Sequence, residues 1–104
     1  MNHPDDNAVL MFEGRAVAEL SEIFEDQSTW FADYRLCFPL LPELKRFIDF
    51  NRDHLSTGNF EESELQSFAH YISVGQWSIK RKNGVDLITG APVFRESDLS
   101  WIEK

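Results

Sequence analysis

The sequence predicts an α+β fold in which about three helices pack on one face of a small antiparallel sheet. Three observations carry this prediction. Segments in the first half and the middle of the chain repeat apolar residues at helical spacing. Residues 29–38 and the last quarter of the chain instead alternate apolar with polar residues, which is the period of a strand. The dipeptide Asn83-Gly84 separates two alternating runs and predicts the turn of a C-terminal β-hairpin.

The chain has the size of one domain. Its 104 residues leave no room for two independent cores, and its nine Phe, three Trp and two Tyr supply enough large rings to fill one. We expect a flexible N-terminal tail over residues 1–7 and a single α+β domain over residues 8–104. No basic stretch followed by an apolar run opens the chain, and Cys37 is the only cysteine. These features predict a cytoplasmic protein without disulfides.

A first helix is predicted within residues 13–27, because Val17, Leu20 and Phe24 recur at helical spacing. Most of the net charge lies in this part of the chain, since residues 1–27 contain seven acids and one base. On a helix the acids of this segment would line a solvated face beside the apolar one: Glu19, Glu22, Glu25 and Asp26.

The segment 29–38 is predicted to be a strand that ends before Pro39. A second helix is predicted from Pro42, a residue that suits the first helical position. Its apolar face contains Leu44, Phe47, Ile48 and Leu55. Asn51 lies in the middle of that face, and a buried amide must be hydrogen-bonded. We expect Asn51 to anchor a neighbouring loop backbone, the alternative being that it lines a cleft for a partner.

A third helix is predicted to begin after Asn59 as its N-cap, with Glu62 three residues later completing a capping box. Acids in the first turn complement the helix dipole: Glu61, Glu62 and Glu64. Beyond this helix, strands are predicted over residues 77–82, 85–89 and 93–94, followed by a short piece over 98–102 that covers one end of the core.

No catalytic, phosphate-binding or metal-binding motif occurs in the sequence. His3, His54, His70 and Cys37 lie at no spacing typical of metal ligands. Cys37 is flanked by apolar residues, which favours a buried thiol over a reactive one. We therefore predict no cofactor, no metal and no catalytic residue.

The run Lys80-Arg81-Lys82 has two interpretations. It could contact a phosphate backbone from a hairpin tip, or it could discourage edge-to-edge pairing of strands. The formal net charge of −8 opposes binding to nucleic acids and to anionic membranes, so the second interpretation is favoured.

The same charge, from 18 acids against 10 bases, favours a basic protein as partner. We expect a small acidic protein-binding module and not an enzyme, of the kind represented by immunity proteins and inhibitors that cover a basic surface. Two aromatic residues, Trp30 and Tyr71, are predicted to anchor the contact. The acids predicted to steer the partner are Glu19, Glu22, Glu25, Asp26, Glu61, Glu62 and Glu64.

Other interpretations remain open at this stage. The acids could serve only solubility. A homodimer or other oligomer could form through a strand edge or through the adjacent rings Trp30 and Phe31, which cannot both face the same side of a strand. An enzyme whose site has no recognised motif would need a polar pocket around Asn51, His54 or Cys37.

Overall fold

The computed structural model describes residues 7–55, 57–72 and 76–103. The predicted tail over residues 1–7 lies outside this part of the chain, apart from Asn7. Mixed helix and strand and an antiparallel sheet are confirmed, but the sheet is larger than predicted and has seven strands within the described residues. The strands are β1 Ala8–Phe12, β2 Arg15–Asp26, β3 Thr29–Leu36, β4 Trp77–Arg81, β5 Gly84–Leu87, β6 Val93–Phe94 and β7 Asp98–Trp101. Between β3 and β4 lie α1 Pro42–Phe50, a π-helical turn Asn51–Leu55, α2 Glu62–Ser67 and α3 Ala69–Ile72.

The sheet has the strand order β5-β4-β1-β2-β3-β7-β6, and all neighbours are antiparallel. β1, β2 and β3 form a meander, β4 joins it beside β1, and β7 joins it beside β3. Just beyond the ends of β5 and β7, Ile88 bridges Glu103, and the Thr89 N–H donates to the Ile102 carbonyl at 2.8 Å. The sheet therefore curls until chain segments from its two halves meet.

The predicted first helix is wrong, because residues 15–26 form the long strand β2. The register with β1 shifts between Leu10 and Met11, and the register with β3 shifts between Ser21 and Phe24. Each irregularity inserts residues into β2 and lengthens the spacing between positions on one face. Val17 and Leu20 are consequently both buried three residues apart, a spacing that alternation alone does not produce.

The helical segment begins as predicted and then departs from the prediction. Pro42 opens α1, which is followed after Phe50 by the π-helical turn. The N-cap of α2 is Glu61, two residues after the predicted Asn59. The Glu61 N–H donates to the Glu64 carboxylate at 3.2 Å. This hydrogen bond satisfies a backbone donor at the beginning of α2 that has no partner within the helix. Among the described residues, no helix is long and apolar enough to cross a membrane.

Aromatic rings join the helices to the sheet. Phe47 of α1 stacks on Tyr71 of α3, with ring centroids 5.3 Å apart. Phe12 of β1 contacts both Tyr71 and Trp77, at centroid distances of 5.2 and 4.7 Å. Trp77 of β4 donates its indole N–H to the Tyr71 carbonyl. We call the sheet face that carries these buried side chains the inner face and the opposite one the outer face.

The C-terminal hairpin is confirmed, with its turn one residue earlier than predicted. Arg81 pairs with Gly84, so the turn consists of Lys82 and Asn83. Gly84 has a φ of 148°, a conformation that favours glycine. Because β4 pairs with β1 on one side and β5 on the other, Lys80 does not lie on an edge strand. The edge-protection interpretation of the basic run is therefore wrong for this residue.

Asn51 anchors a neighbouring backbone, as predicted, and the partner is strand β6. The Arg95 N–H donates to the Asp98 carbonyl at 2.9 Å, so by alternation the Phe94 N–H and the Pro92 carbonyl point away from β7. Asn51 meets both groups: its Nδ2 donates to the Pro92 oxygen at 2.9 Å, and its Oδ1 accepts from the Phe94 nitrogen at 2.8 Å. The Asn51 side-chain amide thus hydrogen-bonds to the edge of β6 that points away from β7, as a further strand would.

Replacing Asn51 by alanine is expected to lower the free energy of unfolding by about 2–4 kcal/mol. The substitution would leave a buried N–H and a buried carbonyl without partners. Urea denaturation monitored by circular dichroism measures the effect. The matched control is Asn59→Ala, an exposed asparagine whose substitution should change stability by less than about 0.5 kcal/mol. Equal stability of the two variants would contradict the anchoring role of Asn51.

Candidate functional site

A row of side chains crosses the outer face where β2, β3, β7 and β6 lie side by side. Phe24 pairs with Phe31, Phe31 pairs with Ser100, and Ser100 pairs with Val93. Directly paired residues point to the same side of a sheet, so these four side chains are neighbours. Phe24 is 56 % exposed and Val93 is also exposed, which makes this row an apolar surface in contact with solvent.

The two rings of the row form a stack. The centroids of Phe24 and Phe31 are 5.1 Å apart, and their planes differ by 15°. Arg95 places its guanidinium carbon 5.8 Å from the centroid of Phe31. Asp98 holds the same guanidinium through two charged hydrogen bonds, 3.1 Å from Nε and 2.9 Å from Nη2. The row therefore contains one occupied cation site.

Carboxylates border the row on the same face. Asp26 lies two residues after Phe24, and Asp33 lies two residues after Phe31, so strand alternation places both on the outer face. Neither makes an ion pair with any residue in the described part of the chain, and both are exposed. We call Phe24, Phe31, Val93, Asp26 and Asp33 together the aromatic face.

The acids predicted to line one solvated face of a helix lie in the strand β2, where they do not share one face. Glu19 is paired with Arg35 of β3 at 3.1 Å. Glu22 has a φ of 53° at the irregularity in β2, and Glu25 lies opposite Trp30 on the inner face. Of the four, Asp26 alone belongs to the aromatic face. The other predicted acids, Glu61, Glu62 and Glu64, lie at the beginning of α2.

The predicted aromatic anchors differ in exposure. Tyr71 is only 7 % exposed and belongs to the core, where it has little surface to offer a partner. Trp30 is half-buried: it stacks on Trp101 at 6.3 Å, and the Arg81 guanidinium lies 5.0 Å from its centroid. The adjacent ring of Phe31 lies on the outer face. Phe24 was not predicted to be a surface residue, because its spacing from Val17 and Leu20 places this ring on the apolar face of a helix.

A groove of about 890 Å³ lies beside the aromatic face and is lined by apolar side chains and by charges of both signs. Glu19, Asp33, Arg35, Lys80 and Lys82 are among its lining residues. Arg81, the middle residue of the basic run, also pairs with Asp86 and, at 2.6 Å, with Glu103. The run is thus divided between the groove and an ion-pair cluster next to Trp30.

Asn51, His54 and Cys37 do not line one pocket. The amide of Asn51 is engaged by β6, and His54 Nδ1 lies 3.2 Å from the Asn59 carbonyl. Burial, together with the nearby Glu19 carboxylate, raises the pKa of the Cys37 thiol. Within residues 7–55, 57–72 and 76–103, no three His, Cys, Asp or Glu side chains are grouped so as to hold a metal ion.

Comparisons of this chain with protein-family models, with curated proteins and with solved structures found no match. The chemistry of its own surfaces is therefore the basis for inferring a function.

We predict that Cys37 reacts slowly with iodoacetamide at pH 8 compared with an unstructured cysteine peptide. Its raised pKa leaves less of the reactive thiolate at that pH, and the rate should rise as the pH increases beyond the range of an ordinary thiol. Glu19→Gln removes one cause of the raised pKa and should accelerate alkylation severalfold. Glu22→Gln is the matched control, and acceleration by both variants alike would contradict a local effect of Glu19.

Proposed function

We propose that this chain is a protein-binding module that docks a basic partner on the aromatic face. The observation that carries the proposal is the exposed Phe24 ring, stacked on Phe31 and bordered by Asp26 and Asp33, which form no ion pair with another described residue. Exposed apolar surface bordered by charge is typical of protein-binding sites. The chain covers a basic surface of this partner, as immunity and inhibitor proteins do.

The two components of this surface have different roles. Exposed aromatic rings supply affinity, because burying them removes apolar area from water at little cost in conformational entropy. The carboxylates and the formal net charge of −8 supply steering, because they attract cationic surfaces and repel anionic ones. Together they favour a partner with apolar and cationic side chains placed close to each other.

The proposal predicts that charge on the aromatic face matters more than charge elsewhere. Asp26→Asn combined with Asp33→Asn should weaken binding of a fluorescent hexalysine peptide by about two- to thirtyfold at low salt, since each of the two exposed pairs contributes about 0.2–1 kcal/mol. Fluorescence anisotropy measures the affinity, and thermal denaturation verifies that the variant is folded.

The matched control is Glu61→Gln combined with Glu62→Gln, which removes the same number of charges at the beginning of α2. This control should bind the peptide nearly as well as the unmodified protein. Equal weakening by both double variants would show that only net charge acts, and would contradict docking on the aromatic face.

A further inference from the structure

We infer that the open ring face of Phe24 receives an arginine side chain of the partner. This inference rests on the proposed function, since it names the group that the aromatic face binds. It goes beyond that function because a basic surface could equally present lysine, and because it assigns the contact to one ring.

The molecule already contains one guanidinium site of this kind. Arg95 lies over Phe31 and is held by two hydrogen bonds to Asp98, with the Ser100 hydroxyl 3.4 Å from its Nη1. Its components are an aromatic ring, a carboxylate and a hydroxyl on neighbouring strands. Such an arrangement satisfies a guanidinium through stacking and through paired hydrogen bonds.

Phe24 offers a ring on the opposite side of the same stack. In the strand order, β7 and β6 lie on one side of β3 and β2 lies on the other, so Arg95 and Phe24 approach Phe31 from different sides. Among the described residues, β1 pairs with β2 as far as Leu20 and not with Phe24. Phe24 is 56 % exposed, so more than half of the surface of this residue is open to solvent.

A carboxylate lies at a suitable place for this second site. Asp26 is two residues from Phe24 on the same face, a separation of roughly 7 Å along a strand. An arginine that stacks on Phe24 can extend its guanidinium to that carboxylate, as Arg95 does with Asp98. Phe24 and Asp26 therefore repeat the ring and carboxylate of the Arg95 site, with no cation from the described residues between them.

The geometry favours arginine over lysine. The guanidinium is planar, stacks on an aromatic ring, and can donate two parallel hydrogen bonds to one carboxylate, whereas the ammonium group of lysine is a compact and strongly hydrated charge. Carboxylates alone also favour arginine, because its guanidinium can pair with them through two parallel hydrogen bonds. The part of the preference that depends on the ring is consequently the signature of Phe24.

The test compares hexa-arginine with hexalysine, titrated into ¹⁵N-labelled protein and followed by amide chemical shifts. Hexa-arginine should bind about fivefold more tightly, with the largest shift changes around Phe24 and Asp26. Phe24→Leu should reduce this preference while retaining an apolar side chain, and Phe24→Trp should retain it in full. The control Leu41→Ala alters another exposed apolar residue and should leave the preference unchanged.

The outcomes separate this inference from the proposed function. If both peptides bind equally well and the Asp26→Asn, Asp33→Asn variant still weakens them, the arginine site is overturned and docking of a basic partner stands. If neither peptide binds, both are overturned. A preference for hexa-arginine that is undiminished in Phe24→Leu would also overturn the assignment to this ring.

Discussion

The side-chain amide of Asn51 is the contact on which the end of the sheet depends. β6 has only two residues and, in the part of the chain that the structure describes, pairs with β7 alone, so the backbone groups on its other side would otherwise face no partner. A buried backbone group without a partner costs about 1–3 kcal/mol. Asn51, which is 1 % exposed, satisfies one N–H and one carbonyl and thereby ties the π-helical turn to the sheet.

The effect of the Asn51 hydrogen bonds reaches the outer face through residues adjacent in the chain. Arg95 follows Phe94 directly, and its carbonyl accepts a hydrogen bond from the Tyr34 hydroxyl at 2.7 Å. With its backbone held on both sides, Arg95 can place its guanidinium over Phe31. Phe31 in turn stacks on Phe24. A buried helix residue thus supports the arrangement of the exposed aromatic face, although it contacts none of its rings.

The sequence predicts those elements whose signal is local. Pro42 marks a helix start, the alternation around Tyr34 marks a strand, and an amide within an apolar helix face requires a backbone partner. The sequence does not predict β2, because irregular pairing with both neighbours gives the strand a helix-like spacing of apolar residues. The aromatic face was also beyond local patterns, since Phe24, Phe31 and Val93 meet only once the strand order is established.

Native-state hydrogen exchange of the Phe94 amide tests the role of Asn51 most directly. If the Asn51 side chain accepts a hydrogen bond from the Phe94 N–H, this amide should exchange about as slowly as the amide of Ile79 in the interior strand β4. Exchange of both amides would then require opening of the whole domain. A two-residue strand at the edge of a sheet would otherwise exchange rapidly on this side. Exchange of Phe94 within minutes, while Ile79 remains protected, would contradict the account.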